Sequence, residues 1–251
     1  MKLNYRRTLF VGFAFFLICA FWQAYDAIIP KILTDKFGMS QANSGIIMAL
    51  DNVLALFLLP VLGALSDKTH TKLGRRMPYI LAGTACAVVF MMLLPVSAKA
   101  RNLPLFMAAL ALTLLSMSLY RSPAVALMPD LTPKPLRSKG NAIINLMGAV
   151  GGVMALGFIT VMVPKTENPD YTAVFAAAAI VMVVSVTILA LTIRENKMAV
   201  KDEPEEKERA ENVPQRGLSA PEKRSLVLIL ASVFFWFMGY NAVTTAFSKY
   251  A

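Results

Sequence analysis

Three charged residues stand inside long apolar runs in the first two hundred positions: Asp26, Asp51 and Arg121. A charge at membrane depth is expensive, so such residues pair with one another or line a path for a substrate or an ion. Asp51 falls about eight residues into its run, roughly 12 Å deep at about 1.5 Å per residue. Burial there raises a carboxylate pKa toward the range in which it takes up and releases protons. Proton coupling or a bond to a substrate hydroxyl is one reading of Asp51, and a structural tie to another helix is the other. Asp26 is the second proton-coupling candidate, with an interfacial residue reaching water as its alternative.

Asp26 closes the segment Phe21-Trp22-Gln23-Ala24-Tyr25-Asp26. Trp22 and Tyr25 offer flat aromatic faces and Gln23 offers hydrogen bonds, a combination suited to a sugar. Arg121 sits about seven residues from the end of its run, too deep for effortless exposure yet within snorkelling reach. It joins Trp22, Gln23, Tyr25, Asn52 and Asn145 as a substrate-binding candidate, against the plainer reading of such polar residues as ties between helices. The sole histidine, His70, lies in a loop and is expected to be solvated.

A different cluster lies between the second and third apolar runs, in Gly63-Ala-Leu-Ser-Asp67-Lys-Thr-His-Thr-Lys-Leu-Gly74-Arg75-Arg76-Met-Pro78. Gly63 permits close helix approach. Asp67 stands at a helix end where it can pair with an arginine, and Arg75 and Arg76 precede the next helix. Ion pairs of this kind latch one conformation and break in another. The same logic repeats after the fourth run, where Asp130 is followed by Arg137 within Pro129-Asp130-Leu-Thr-Pro-Lys-Pro-Leu-Arg137-Ser-Lys-Gly140-Asn141. Gly63, Asp67, Gly74, Arg75, Arg76, Asp130 and Arg137 form the candidate gate. Two such loops are what an internal repeat of three helices plus three would produce, as in nested transporter repeats.

These residues must be held by membrane helices. The chain of 251 residues is 57% hydrophobic and 16% charged, with mean hydropathy +0.59, whereas soluble domains carry about 25% charge. Seven runs reach the roughly 20 residues a span requires: 8 to 30, 43 to 66, 77 to 97, 103 to 128, 140 to 163, 172 to 193 and 224 to 247. Backbone in lipid must bond within itself, so the expected fold is all-α. The first run is too long for a signal peptide and is followed by further spans. With the N-terminus in the cytoplasm, 18 of the 25 Lys and Arg fall on the cytoplasmic side and six outside, and this bias orients the chain. The net charge of +10 is spread between apolar runs, so no nucleic-acid face is expected. Pro60 and Pro123 are expected to interrupt helical bonding, and Gly148, Gly151, Gly152 and Gly157 give the fifth run a close-packing face.

The loop motifs resemble the signature of the major facilitator superfamily, in the longer-loop form of glycoside:cation symporters and their sucrose-transporter-like relatives. The resemblance is carried from Cys19 to Gly152, through Pro60-Val-Leu-Gly63, Gly74-Arg75-Arg76-Met77-Pro78 and the Arg121 to Asn141 stretch. It implies import of a sugar or glycoside with protons by alternating access, from the cell inner membrane, with a fourth-helix arginine facing the cavity. Leu103 to Tyr120 lacks the acidic residue that plant sucrose carriers place there. Ala55 and Leu59 replace the paired aspartates of melibiose-type sodium sites.

The expected organisation is a six-helix bundle over 1–193, a cytoplasmic linker over 194–223 too polar to bury a core, and over 224–251 the first helix of a second bundle. The missing remainder of that bundle is the expected partner, beside the lipid bilayer and the small-molecule substrate. An exporter of another small organic molecule, and a non-transporting scaffold or inactive fragment, are the alternative functions. No paired nucleophile and base, metal-ligand cluster or phosphate loop is present in the sequence, so neither an enzyme nor a cofactor nor a metal site is expected.

Overall fold

Helix starts in this chain are written mostly in local caps. Asn4 accepts from the Arg7 amide at 3.0 Å and opens α1 (Tyr5–Lys31). Ser40 accepts from Asn43 at 3.2 Å and opens α2 (Gln41–Lys68), and Asn102 accepts from Leu105 at 3.1 Å and opens α4 (Leu103–Leu131). Each such cap satisfies an amide that the first helical turn leaves without a partner. The third helix, α3 (Met77–Lys99), starts at Arg76, whose side chain makes no capping bond. Its cap comes from elsewhere in the chain. The remaining helices are α5 (Arg137–Met162), α6 (Thr172–Thr192), the short α7 (Glu195–Met198) and α8 (Ala220–Phe247).

The computed structural model describes residues 3–166, 169–198 and 219–247, apart from the side chains of Asp51, Asn241, Ala242 and 244–247. Among the described residues seven helices are long and apolar enough to cross a membrane. The seven expected runs coincide with these helices, the fifth and sixth running one residue past them at Val163 and Ile193, and the helices extend past the runs at most other ends. α2 runs two residues beyond each predicted limit, because hydropathy reports the hydrocarbon layer while the helix continues into the interface. Pro30 was the expected end of the first span. The helix passes through it and leads into a π-turn, Ile32–Lys36, where the Thr34 hydroxyl donates to the Pro30 carbonyl at 3.1 Å. Pro60 and Pro123 likewise lie inside continuous helices.

The chain divides into two compact units, Met1–Val200 and Lys201–Ala251. In the first, α1 packs most extensively on α5 and also on α6 and α4; α3 packs on α4 and α6; α2 leans on α4. The core joins these elements through fully buried side chains including Leu17, Ile28, Met91, Phe106 and Tyr120, whose hydroxyl donates to the Ala14 carbonyl at 2.9 Å. The second unit contains α8. Residues 195–198, which sequence placed in the linker, form a helical turn on the first unit, and Glu195 there is buried; residues 199–218 lie outside the described ones.

The α1–α5 seam depends on missing side chains. A Cβ on Gly148 would sit 2.8 Å from the Cys19 sulfur, and one on Gly151 would meet the Phe16 backbone at 3.0 Å (carbonyl carbon) and 3.1 Å (Cα). Backbone cannot rotate away as a side chain can. Gly151→Val is therefore expected to lower stability by about 3 kcal/mol, at the upper end for overpacking, measured as thermal unfolding of the detergent-purified chain. Gly157→Val, at a position with no atom within 4 Å of the new Cβ, is the matched control and is expected to leave the transition in place.

At the opposite end of α3 from Arg76, Lys99 pairs with Asp170 at 2.8 Å just before α6. The Lys99 ammonium, together with the Thr172 hydroxyl and amide, holds the Asp170 carboxyl at about 2.

Candidate functional site

The first α3 amides find their acceptor nearly 120 positions downstream. Both oxygens of Glu195 accept from the Arg76 amide, at 3.1 and 3.0 Å, while the Arg75 and Met77 amides donate to it at 3.0 and 3.1 Å. A carboxylate at a helix N-terminus is favoured by the dipole and by the unbonded amides together. Gly74 makes this approach possible. It has φ +121°, and a Cβ there would meet the Glu195 side chain, its own Cβ at 2.6 Å. Asn196 fastens the same loop, its amide donating to the carbonyls of Thr71 at 2.9 Å and Lys72 at 3.0 Å.

With its backbone held by Glu195, Arg76 turns its guanidinium onto two other helix ends. Its Nε donates to Asp130 at 2.9 Å and its Nη2 pairs with Asp67. Its Nη1 donates to the Ser66 hydroxyl and, at 3.5 Å, to the Gly63 carbonyl. Arg75 takes the other Asp130 oxygen at 2.8 Å. One carboxylate thus bridges two adjacent arginines, and one arginine bridges α2, α3 and α4. The Arg76 side chain is 6% exposed and that of Asp130 16%, whereas Asp67 is half exposed at 53%. The Arg76–Asp130 half of the cluster is consequently the strong one.

The predicted gate residues meet here with one rearrangement. Gly63 brings α2 onto α4, since a Cβ there would reach the Ser122 hydroxyl at 2.9 Å, and that hydroxyl donates to the Leu59 carbonyl at 3.0 Å. Arg137 stands away from the carboxylates. It donates to the Pro129 carbonyl at 3.0 Å and the Thr132 carbonyl at 3.2 Å, covering the end of α4. The two regions are therefore unequal: the α2–α3 loop supplies both arginines, whereas the last turn of α4 supplies a carboxylate and the start of α5 a cap. Glu195, Asn196 and Ser66 were missed from sequence. The available signal was an acidic residue flush against the end of an apolar run, in Arg194-Glu195.

The candidate polar residues at membrane depth lie on α1, α2, α4 and α5, while α3 from Tyr79 to Ala98 and α6 throughout carry no charge. The Arg121 guanidinium lies over the Trp22 ring, 5.5 Å from its centroid, a cation–π contact. Trp22 also meets Tyr25 edge-on at 5.2 Å, and its Nε1 is buried without a hydrogen-bond partner among the described residues. Gln23 is half-buried beside Gly152, and Asp26, Asn52 and Asn145 are exposed. Tyr25 is 2% exposed and stacks on Phe21 within the core, its position on α1 turning it inward against Trp22. Asp51 lies on α2, with its side chain outside the described ones. The Cys19 and Cys86 thiols are free, and no group of His, Cys, Asp and Glu suited to a metal occurs among the described residues.

The family model of the Major Facilitator Superfamily matches residues 11–251. The chain belongs to this superfamily. Members of the superfamily are transporters, and an all-α, multi-pass chain with these spans fits the major facilitator pattern. Among curated major facilitator relatives, the sucrose transport protein SUC3 of Arabidopsis thaliana is 29% identical over 150 residues, covering 52% of this chain and 25% of that protein. YagG of Escherichia coli (strain K12), named as a candidate glycoside/cation symporter, is 35% identical over 66 residues, covering 26% of this chain and 14% of that one. The matches thus span a quarter or less of the length of these relatives.

Proposed function

We propose that this chain belongs to a secondary active transporter that imports a sugar or glycoside together with protons by alternating access. The observation that carries the reading is the Arg75, Arg76, Asp67, Asp130 and Glu195 cluster, which ties α2, α3, α4 and α7 at one end of the bundle. Ion pairs joining separate helix ends form and break as units, which is the behaviour a gate requires. The bias of Lys and Arg toward this end supports a cytoplasmic position for it, in a transporter of the cell inner membrane. Arg121, Trp22, Gln23, Asn52 and Asn145 are the substrate contacts in this reading. The aromatic Trp22 with Arg121 fits a ligand that is flat on one side and hydroxylated at its rim. Asp51 and Asp26 carry the proton. A second six-helix bundle completes the cavity, and the similarity to a sucrose transport protein and to a candidate glycoside/cation symporter supports a sugar substrate and a cation.

The test is proton-driven uptake of disaccharides by cells producing the full product of the gene. Asp51→Asn is expected to bring acid-stimulated uptake to background while leaving the protein in the membrane, with a smaller loss for Asp26→Asn. Intact proton-driven uptake in both variants would remove the coupling assignment. Outward movement of lipophilic compounds without response to disaccharides would replace import by export.

A further inference from the structure

The last turn of α4 has no basic residue of its own, and its C-cap, Thr132, is extended with φ −125° and ψ 125°. The final carbonyls of a helix lack partners and gather partial negative charge. Asp130 adds a full negative charge at that place. Its neighbours are neutralised from outside: Arg137 of α5 covers Pro129 and Thr132, and Arg7 of α1 donates from Nη2 to the Leu131 carbonyl at 2.6 Å. Leu131 is buried, at 1% exposure, and Arg7 is half-buried. Arg6, one residue earlier, is exposed and lies over the Phe10 ring at 5.8 Å. Two adjacent arginines of the basic N-terminus therefore have different surroundings, Arg7 on the α4 backbone and Arg6 on the exposed side.

We propose that Arg7 is a positioning residue for the gate: by holding the Leu131 carbonyl it fixes the last turn of α4, and with it the Asp130 carboxylate that Arg75 and Arg76 grip. The proposal rests on the gate reading above and adds α1 to it. Movement of α1, the helix that carries Trp22 and Asp26, reaches the last turn of α4, and so the Arg76 cluster, through this hydrogen bond. Arg7 reaches neither substrate nor proton.

The test is hydrogen–deuterium exchange on the full chain in lipid nanodiscs. Arg7→Gln is expected to speed amide exchange about tenfold both in 128–132 and at Arg75–Met77, the latter being held only indirectly. Asp130→Asn is expected to speed Arg75–Met77 by a similar factor, and the double variant to add nothing further at those amides. Arg7→Lys, which keeps a donor, is expected to stay within about threefold of the parent. Arg6→Gln removes the same charge and is expected to change neither segment. If Arg6→Gln matched Arg7→Gln, or if Arg7→Gln loosened residues 3–12 alone, the positioning role would be overturned. If Arg7→Gln loosened 128–132 while Asp130→Asn left Arg75–Met77 unchanged, the tie would stand and the gate reading would fall.

Discussion

Arg76→Ala is expected to destabilise the first compact unit by about 3–5 kcal/mol, the range for breaking one side of a buried ion pair. The loss is unevenly spread over the partners. Asp67 is half exposed and returns to water, contributing little. Ser66 is fully buried and loses the guanidinium to which its hydroxyl is bonded. Asp130, mostly buried, keeps Arg75 alone, through a side chain that is 40% exposed. The penalty is therefore mostly that of a carboxylate left under-compensated in the interior of the cluster. Two consequences separate this account from a loss of packing. Arg76→Lys should recover less than half of the stability, because an ammonium cannot place donors on Asp130, Ser66 and Asp67 together. Asp130→Asn in the Arg76→Ala background should recover part of it by removing the orphaned charge. Thermal unfolding of the detergent-purified chain measures both, and equal melting of the lysine and arginine proteins would refute the bridging role.

Glu195→Ala is expected to cost about as much, roughly 3–5 kcal/mol, taking a hydrogen bond to a charged group as about 1.5–3 kcal/mol and allowing for shared geometry and partial rescue by water. Removing the carboxylate leaves the amides of Arg75, Arg76 and Met77 without their acceptor and α3 without a cap. Glu195→Gln keeps one acceptor oxygen but loses the interaction of a full charge with the helix dipole, and is expected to fall between the two. Amide exchange at Arg75–Met77 is the direct reading: it should rise most in Glu195→Ala, less in Glu195→Gln, and leave the centre of α6 unchanged. Unaltered exchange at these three amides in Glu195→Ala would show that the cap is dispensable.

The membrane helices were legible because lipid leaves a backbone so few options that length and hydropathy suffice. Their ends were less so, since nothing in hydropathy marks where Lys31 or Lys68 carries a helix into the interface. Within the site, that Asp67 and an arginine would pair could be read from their closeness along the chain. The choice between Arg75 and Arg76 could not, because adjacent residues on a helix start diverge by about 100° and only the neighbouring helix ends select between them. The burial of Tyr25 was not legible for a related reason: α1 is apolar on nearly every side, so its sequence does not say which face turns inward. Glu195 was hidden by its company. It belongs by composition to a charged stretch and by structure to the start of a helix nearly 120 residues earlier.

That distance in sequence has a bearing on how the chain is made. The α2–α3 loop leaves the ribosome long before Glu195 does, so α3 enters the bilayer with its first turn uncapped. The cap arrives after α6 has been synthesised. Completion of the sixth span is thereby registered at the loop formed after the second, and a nascent chain halted before residue 195 would present that loop open to proteases. The carboxylate that closes the helix start in the finished protein is thus supplied by the segment that follows α6.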